Sequence, residues 1–173
     1  MTVVITRSDG SLSPPAPVTQ YRRLNAADTD AVLAMLLRCS RDTLYRRFHG
    51  VTDGTAYARQ LLRAPSGHDT LGAWCETRCV AIATLADGSD GCSDVGVLVE
   101  DAWQRRGLGT ALLAQLVGIA RRRGIGVLTA DVLADSVHVL RWFGRVGTVE
   151  ARLSWGVYHA RVTLAESRGA ATG

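Results

Sequence analysis

The sequence predicts one domain of the α/β (α+β) type: a mixed, mostly antiparallel central sheet of six to seven strands flanked by about four to five helices. Three observations lead there. Segments rich in strand formers come in adjacent pairs, at 70–86 and again at 149–164, as hairpin strands do. Between the pairs lies a strand-helix-strand-helix unit from Val95 to Val146, the order that places helices on the faces of a sheet. Ahead of both, apolar residues recur at helical spacing. A chain of 173 residues with 47% hydrophobic and 21% charged content is long and apolar enough for one domain with a proper core.

Taken in order, Met1 to Pro17 carry a Ser-Asp-Gly-Ser stretch and then Pro14-Pro15-Ala16-Pro17, a composition that predicts a flexible, extended leader. The domain is expected over 18–164, with 165–173 a flexible tail. Val18 to Leu24 reads as a strand. Asn25 or Asp28 caps a helix whose apolar positions are Val32, Leu33, Leu36 and Leu37, and Ser40 caps a second helix over 41–48. Gly50, Asp53 and Gly54 break the pattern before a third helix from Thr55 to Leu62. Thr70–Glu76 and Cys79–Ala86 form a hairpin, and Asp87–Gly91 a turn. Val95–Val99 is a strand. Leu108–Arg123 is a helix with Leu112, Leu113, Leu116 and Ile119 as its buried stripe, closed by Gly124. Val127–Val132 is a strand, Ser136–Val146 a helix, and Val149–Trp155 and Val157–Leu164 a last pair of strands split by Gly156.

Composition narrows the function. The formal charge is +4, from 20 basic and 16 acidic residues, and no lysine occurs, so every basic side chain that is charged throughout the neutral range is an arginine. Arginine's planar fork suits phosphate and carboxylate, although a GC-rich genome produces the same bias. The one basic run, Arg121-Arg122-Arg123, falls where a helix ends and complements its dipole, which argues against a nucleic-acid partner. Cys39, Cys75, Cys79 and Cys92 lack zinc-site spacing and read as reduced, mostly buried thiols, with no metal expected. No apolar run reaches the length of a membrane span and the start lacks a signal-peptide layout, so the expectation is a cytoplasmic protein without a membrane partner.

The segment that carries chemistry runs from Val95 through Val99, Gln104 and Gly107 to Thr110: strand, short polar link, glycine turn, helix. Gln104–Gly109 fits Q-x-x-G-x-G. Glycines at 107 and 109 allow a tight turn that exposes successive N–H groups at a helix start, where a pyrophosphate is favoured by donors and dipole together. A Walker loop would need a lysine, and a dinucleotide fingerprint a glycine-like residue at 112, where this chain has Leu112.

Gln104-Arg105-Arg106-Gly107-Leu108-Gly109-Thr110 resembles the coenzyme A pyrophosphate loop of the GNAT superfamily of N-acetyltransferases. Val132 to Gly147, with Ser136, Val139, Phe143 and Arg145, is similar to its second coenzyme-binding segment. The resemblance covers about Val18 to Leu164. The nearer likeness is to the acetyltransferase domain of Pat-type bacterial protein lysine acetyltransferases, whose front section resembles Ser40 to Phe48; that domain is often fused to a ligase-like or regulatory one. The likeness implies the GNAT fold, acetyl-CoA as co-substrate, and transfer to a protein lysine side chain, with an acyl-CoA synthetase as the typical substrate. It implies that backbone N–H groups at Leu98 and Val99 polarise the thioester. Asp94 stands where Pat-like domains carry a glutamate and is the expected general base, directly or through a water. Ser136 stands for a family asparagine and Thr148 for a common phenylalanine. Phe143 lies where many members have a tyrosine acid, which leaves Tyr158 as the spare general acid.

Other residues weigh less. Glu100 and Asp101 are reserve bases that read more simply as solvated loop charges. His138 and His159 could help to shuttle protons, although a lone histidine usually has only a structural role. Arg105, Arg106 and Arg145 are expected to hold coenzyme phosphates, while Arg46, Arg47 and Arg141 read as solvated helix charges or a docking surface. Trp103 and Trp142 read as core or rim packing. A small-amine acetyltransferase and a non-catalytic acyl-CoA sensor share the same coenzyme motif and stand as alternatives, and either a monomer or a homodimer is compatible with the sequence.

Overall fold

The structure is a computed structural model that describes residues 2–3, 20–50, 54–62, 67–88 and 90–165. Its helices are α1 (Thr29–Arg38), α2 (Arg41–Phe48), α3 (Thr55–Leu62), α4 (Leu108–Arg122) and α5 (His138–Phe143). Its strands are β1 (Thr2–Val3), β2 (Gln20–Arg23), β3 (His68–Cys75), β4 (Arg78–Asp87), β5 (Cys92–Val99), β6 (Val127–Leu133), β7 (Gly147–Ser154) and β8 (Val157–Leu164). They form one sheet in the order β2-β3-β4-β5-β1-β6-β8-β7. Pairing is antiparallel throughout β2 to β5 and among β6, β8 and β7, and parallel where β5, β1 and β6 meet. The expected mixed, mostly antiparallel sheet is the observed one; among the described residues it has seven strands of four or more residues and a two-residue eighth, and the five α-helices fall within the four to five expected.

That eighth strand departs from the sequence reading. Thr2–Val3 lies inside the stretch expected to be a flexible leader, yet it pairs with both β5 and β6. Residues 4–19 and the tail from 166 on lie outside the described residues. β5 and β6 touch directly only from Cys92↔Val127 to Asp94↔Thr129. Beyond that point they part, and β1 fills the gap, with Val3 opposite both Val97 and Val132.

Local chemistry explains most boundaries. Ser40 caps α2 by accepting the Thr43 N–H at 3.1 Å, while Asn25 caps a 3₁₀ turn just ahead of α1. α1 buries Val32, Met35 and Leu36; Leu37, expected in its stripe, is exposed and Met35 takes its place. The first hairpin turns on Glu76-Thr77, one residue earlier than expected, with Glu76 at positive φ, and the last on Trp155-Gly156, where both residues are at positive φ. α5 is shorter than the expected 136–146, because 134–136 is a 3₁₀ turn and the helix stops at Phe143.

Two apolar layers sandwich the sheet. One face, under α4 and α5, holds Val95, Val97 and Val99 with Leu112, Leu116, Leu128, Val132 and Phe143. The other, under α1 to α3, holds Trp74, Ile82 and Leu98 with Val32, Met35, Leu36 and Leu44. The period-two alternation of β5 therefore sends odd residues to the α4 side and even residues to the α2 side. Cys75, Cys79 and Cys92 are buried, Cys39 partly so, and none of the four is in a disulfide; burial pushes the thiols of Cys39 and Cys79 up to about 12. No helix among the described residues is long and apolar enough to cross a membrane.

Candidate active site

β5 ends at Val99 and a 3₁₀ turn over Asp101–Trp103 carries the chain to the start of α4. Arg105 (φ 58°) and Gly107 (φ 80°) both adopt the left-handed conformation there, so the chain reverses within a few residues. No side chain caps α4 and its first turn carries no carboxylate, so the turn itself holds no anion to compete with a bound one. A cavity of about 240 Å³ opens beside it, lined by Val99, Trp103, Gln104, Arg105, Gly107, Leu108, Gly109, Thr110 and His138. A second, of about 300 Å³, shares Gly109, Thr110 and His138 with the first and adds Leu113, Val139, Arg141, Trp142 and Arg145. The two make one groove from the end of β5 across the helix start to α5, with arginines at both ends. A long phosphorylated ligand fits this donor set.

The expected coenzyme residues divide. Arg105, Gly107, Leu108, Gly109, Thr110, Val139 and Arg145 line the groove. Arg106 is exposed and its guanidinium lies 5.6 Å from the centre of the Trp103 ring. Gln104 touches the groove, but its buried amide is tied inward, with Nε2 donating to the Val99 carbonyl at 3.0 Å and to Thr43 Oγ1 at 3.1 Å. Ser136 and Phe143 do not line it. Ser136 is buried and donates to Asp135 at 3.0 Å, and Phe143 is fully buried in the core, where it packs α5 onto the sheet. Arg141 was read as a solvated or docking charge, whereas it lines the groove; 138, 141–142 and 145 lie one helical turn apart, a signal the sequence offered.

The backbone separates Leu98 from Val99. Glu100 N–H donates to Val80 at 3.0 Å, and the β4–β5 register runs without a bulge from Ala81↔Val99 to Asp87↔Ser93. Antiparallel alternation then turns the Leu98 amide toward β4 and the Val97 and Val99 amides toward the gap. Of the two amides expected to polarise a carbonyl, only that of Val99 faces the opening.

Asp94 lies within β5, two residues inside the strand's start rather than ahead of it. Its Oδ1 accepts from Thr129 Oγ1 at 3.0 Å. Burial raises its carboxyl above the usual range, outweighing the Thr129 hydrogen bond and the nearby Arg47 charge, which pull it down. Arg47 itself is buried, contrary to its reading as a solvated charge. Its guanidinium bonds the Tyr57 hydroxyl and lies 4.9 Å from that ring's centre. Gly96 makes room for it: a Cβ there would collide with the guanidinium and come within 2.7 Å of Thr84 Oγ1. Arg46 is likewise engaged, by Asp42 and Asp135.

The reserve bases are committed elsewhere. Glu100 is buried against Arg38 at 2.9 Å and Arg78 at 3.3 Å, and Asp101 accepts from Ser40 N, Ser40 Oγ and Thr43 Oγ1. Both tie α1 and α2 to the loop after β5. Tyr158 is half-buried against the α4-side core, opposite Val132, so it shares a face with the groove while Asp94 lies on the α2 side. His138 borders the groove; His159 lies on the Asp94 side, its Nδ1 2.7 Å from Asp131.

Comparison with known proteins bears on this geometry. The solved GNAT domain of S. lividans PAT superposes with a TM-score of 0.73 at 22% identity, over 83% of this chain and 89% of that one. PaiA N-acetyltransferase of Thermoplasma acidophilum, solved in complex with coenzyme A, gives 0.64 at 12% identity, over 83% and 98%. In sequence, Acetyltransferase Pat of Mycolicibacterium smegmatis is 28% identical over 144 residues, 79% of this chain; the chain spans 43% of that relative's length. The family model described as Acetyltransferase (GNAT) family matches residues 34–148, more than half of the chain. That match spans β5, the glycine turn and α4, and the chain belongs to the Acetyltransferase (GNAT) family.

Proposed function

We propose that this chain transfers the acetyl group of acetyl-CoA to an amine, and that the amine is a lysine side chain of a protein. The observation that carries the reading is the groove that begins at the gap beside Val99 and crosses the uncapped start of α4 to reach Arg141 and Arg145. The solved relative in complex with coenzyme A supports the choice of donor. The likeness to Pat supports a protein acceptor, and an acyl-CoA synthetase is the first substrate to try.

When bound, acetyl-CoA supplies an activated acyl group; the chain supplies the rest. Gly107, Leu108, Gly109 and Thr110 offer backbone N–H donors and the helix dipole to a pyrophosphate, with Arg105, Arg106 and Arg145 as charge partners. Val139 forms the apolar wall, while Ser136 and Phe143 hold α5 in place from behind. The Val99 amide is a fixed donor for the negative charge that develops on a carbonyl oxygen. Asp94, with its carboxyl raised by burial, takes the proton of the incoming ammonium from the α2 side, across a water if the shorter side chain falls short. Tyr158, on the groove side, is the proton source for the departing thiolate.

The test is thiol release from acetyl-CoA with an acyl-CoA synthetase panel and a small-amine panel, alongside acetyl-CoA affinity by calorimetry. Acetylation of a protein lysine supports the reading. Turnover with small amines alone replaces the acceptor, and tight binding without turnover makes the chain a sensor.

A further inference from the structure

Two carboxylates, not one, stand on the acceptor side of the gap. Asp94 faces Thr129 across β5 and β6, and Asp131 follows two residues later on β6, hence on the same face. Across the next pairing Asp131 lies opposite His159 of β8, and its Oδ1 is 2.7 Å from Nδ1 of the imidazole. Burial works to raise the Asp131 carboxyl, but the hydrogen bonds it accepts, that of His159 among them, outweigh it and hold the group below the ordinary value. It therefore stays an anion and fixes Nδ1 as the donor, which leaves Nε2 as a proton acceptor. The side chain of His159 is 54% exposed against 30% for Asp131, so a proton taken at the imidazole has a direct path to solvent.

On the proposed function above, we infer that His159, oriented by Asp131, is a second proton acceptor beside Asp94 through which the ammonium proton leaves the site. The balance is simple. The acceptor R–NH3⁺ gives one proton, through Asp94 or water, to Nε2 of His159. The free amine forms its N–C bond as the C–S bond breaks; Tyr158 gives its proton to the departing thiolate and is reprotonated by the surplus proton of the new amide. The imidazolium then returns its proton to solvent. An imidazole suits this exchange because its ordinary pKa of about 6.5 lies nearer neutral pH than a carboxylate's.

Among the described residues, the charged groups around the pair come from five elements. Arg47 and His49 approach from α2 and the residue after it, Asp94 from β5, Asp131 from β6, Arg152 from β7 opposite His159, and Arg161 from β8 two residues along. His49 has its pKa lowered by burial, with the Asp131 charge opposing and the Arg47 and His159 charges adding to the fall. Its lowered pKa makes it a poor holder of the proton.

The experiment is the pH profile of turnover, from about pH 5.5 to 9, for the full chain and for His159→Gln, Asp131→Asn and Asp131→Glu, with acetyl-CoA affinity measured in parallel. His159→Gln is expected to lose about 100-fold in kcat with the KM for acetyl-CoA unchanged, and to lose the imidazole limb from the profile. Asp131→Asn, which can no longer hold Nδ1 as the donor, should lower kcat by about tenfold with the KM for acetyl-CoA unchanged, and Asp131→Glu should restore most of it. A His159→Gln enzyme that keeps wild-type kcat and profile overturns this role and leaves the acetyltransferase reading intact. A wild-type chain that binds acetyl-CoA but turns over no amine overturns both.

Discussion

Thr129 donates its hydroxyl to Asp94 at 3.0 Å at the last register pair before β5 and β6 part. The carboxylate is thus pinned at the mouth of the gap, and burial rather than a neighbouring anion is the main cause of its raised pKa. Asp94→Asn is expected to reduce kcat by about 100-fold or more while leaving acetyl-CoA affinity unchanged, checked by thiol release and calorimetry. Its effect on stability has the opposite sign. A carboxyl whose folded pKa exceeds its unfolded value contributes stability only below the unfolded value, about 3.9, and loses it as pH rises through the folded one. At pH 7 the anion is disfavoured by the fold, so the Asn variant should melt no lower than wild type, and the gap should close as pH falls. A thermal scan at pH 7 and pH 4 reads both.

Gln104 offers a sharper test of the loop. Its Nε2 bridges Val99 O and Thr43 Oγ1, and Thr43 in turn donates to Asp101, so one amide links the end of β5, α2 and the turn before α4. Gln104→Leu leaves a buried carbonyl without this donor, which costs about 1–3 kcal/mol. We expect a lower melting temperature together with a raised KM for acetyl-CoA and a smaller change in kcat, because the loop is displaced while Asp94 is not. A KM that stays at the wild-type value would mean that Gln104 stabilises the fold without shaping the groove.

These two residues also show what could be read before any coordinates. The Q-x-x-G-x-G spacing located the groove, because a glycine turn into a long helix is a local feature that period and composition reveal. Which way the Gln104 amide turns is tertiary, since its partner Thr43 lies 61 residues away. The same holds for Arg47. Its helix is strongly polar, so solvent exposure was the natural reading, and only the β5 register brings Gly96 beneath its guanidinium. Asp131 went unnoticed because its meaning depends on a β6–β8 pairing, and Phe143 was misplaced because α5 turns it to the core. The strand at Thr2–Val3 had no usable signal: two residues carry no periodicity.

That short strand makes a prediction of its own. β1 holds the edges of β5 and β6 at Val97 and Val132, beside the Val99 amide at which we propose that the donor's acyl arm enters. If β1 and the arm share those edges, part of the binding energy is spent on displacement, and the apparent affinity falls by the fraction of molecules with the gap open. Val3→Pro, which removes a backbone donor in mid-sheet, is expected to tighten acetyl-CoA binding by about three- to ten-fold in calorimetry. Weaker binding with a lowered melting temperature would instead make β1 a structural part of the site.

Acid stability should track a pair far from the site. Arg22 holds Asp28 through two hydrogen bonds, of 2.6 and 2.9 Å, and Asp28 also accepts from the Asn25 N–H at 3.0 Å, which fixes the entry to α1. The Arg22 hydrogen bond is the main cause that keeps the Asp28 carboxyl below the ordinary value, against the opposing effect of burial. For a depressed carboxyl the contribution is present above the unfolded pKa and is lost as pH falls through the folded one. Asp28→Asn is therefore expected to destabilise by about 1–2 kcal/mol at pH 7, roughly 2–8 °C in melting temperature. The difference from wild type should shrink progressively as pH falls below about 4, the ordinary carboxyl range, and Arg22→Met should show the same pH dependence because it removes the same hydrogen bonds. If the Asp28→Asn deficit persists unchanged at pH 2, the loss comes from the shape of the cap and not from the charge.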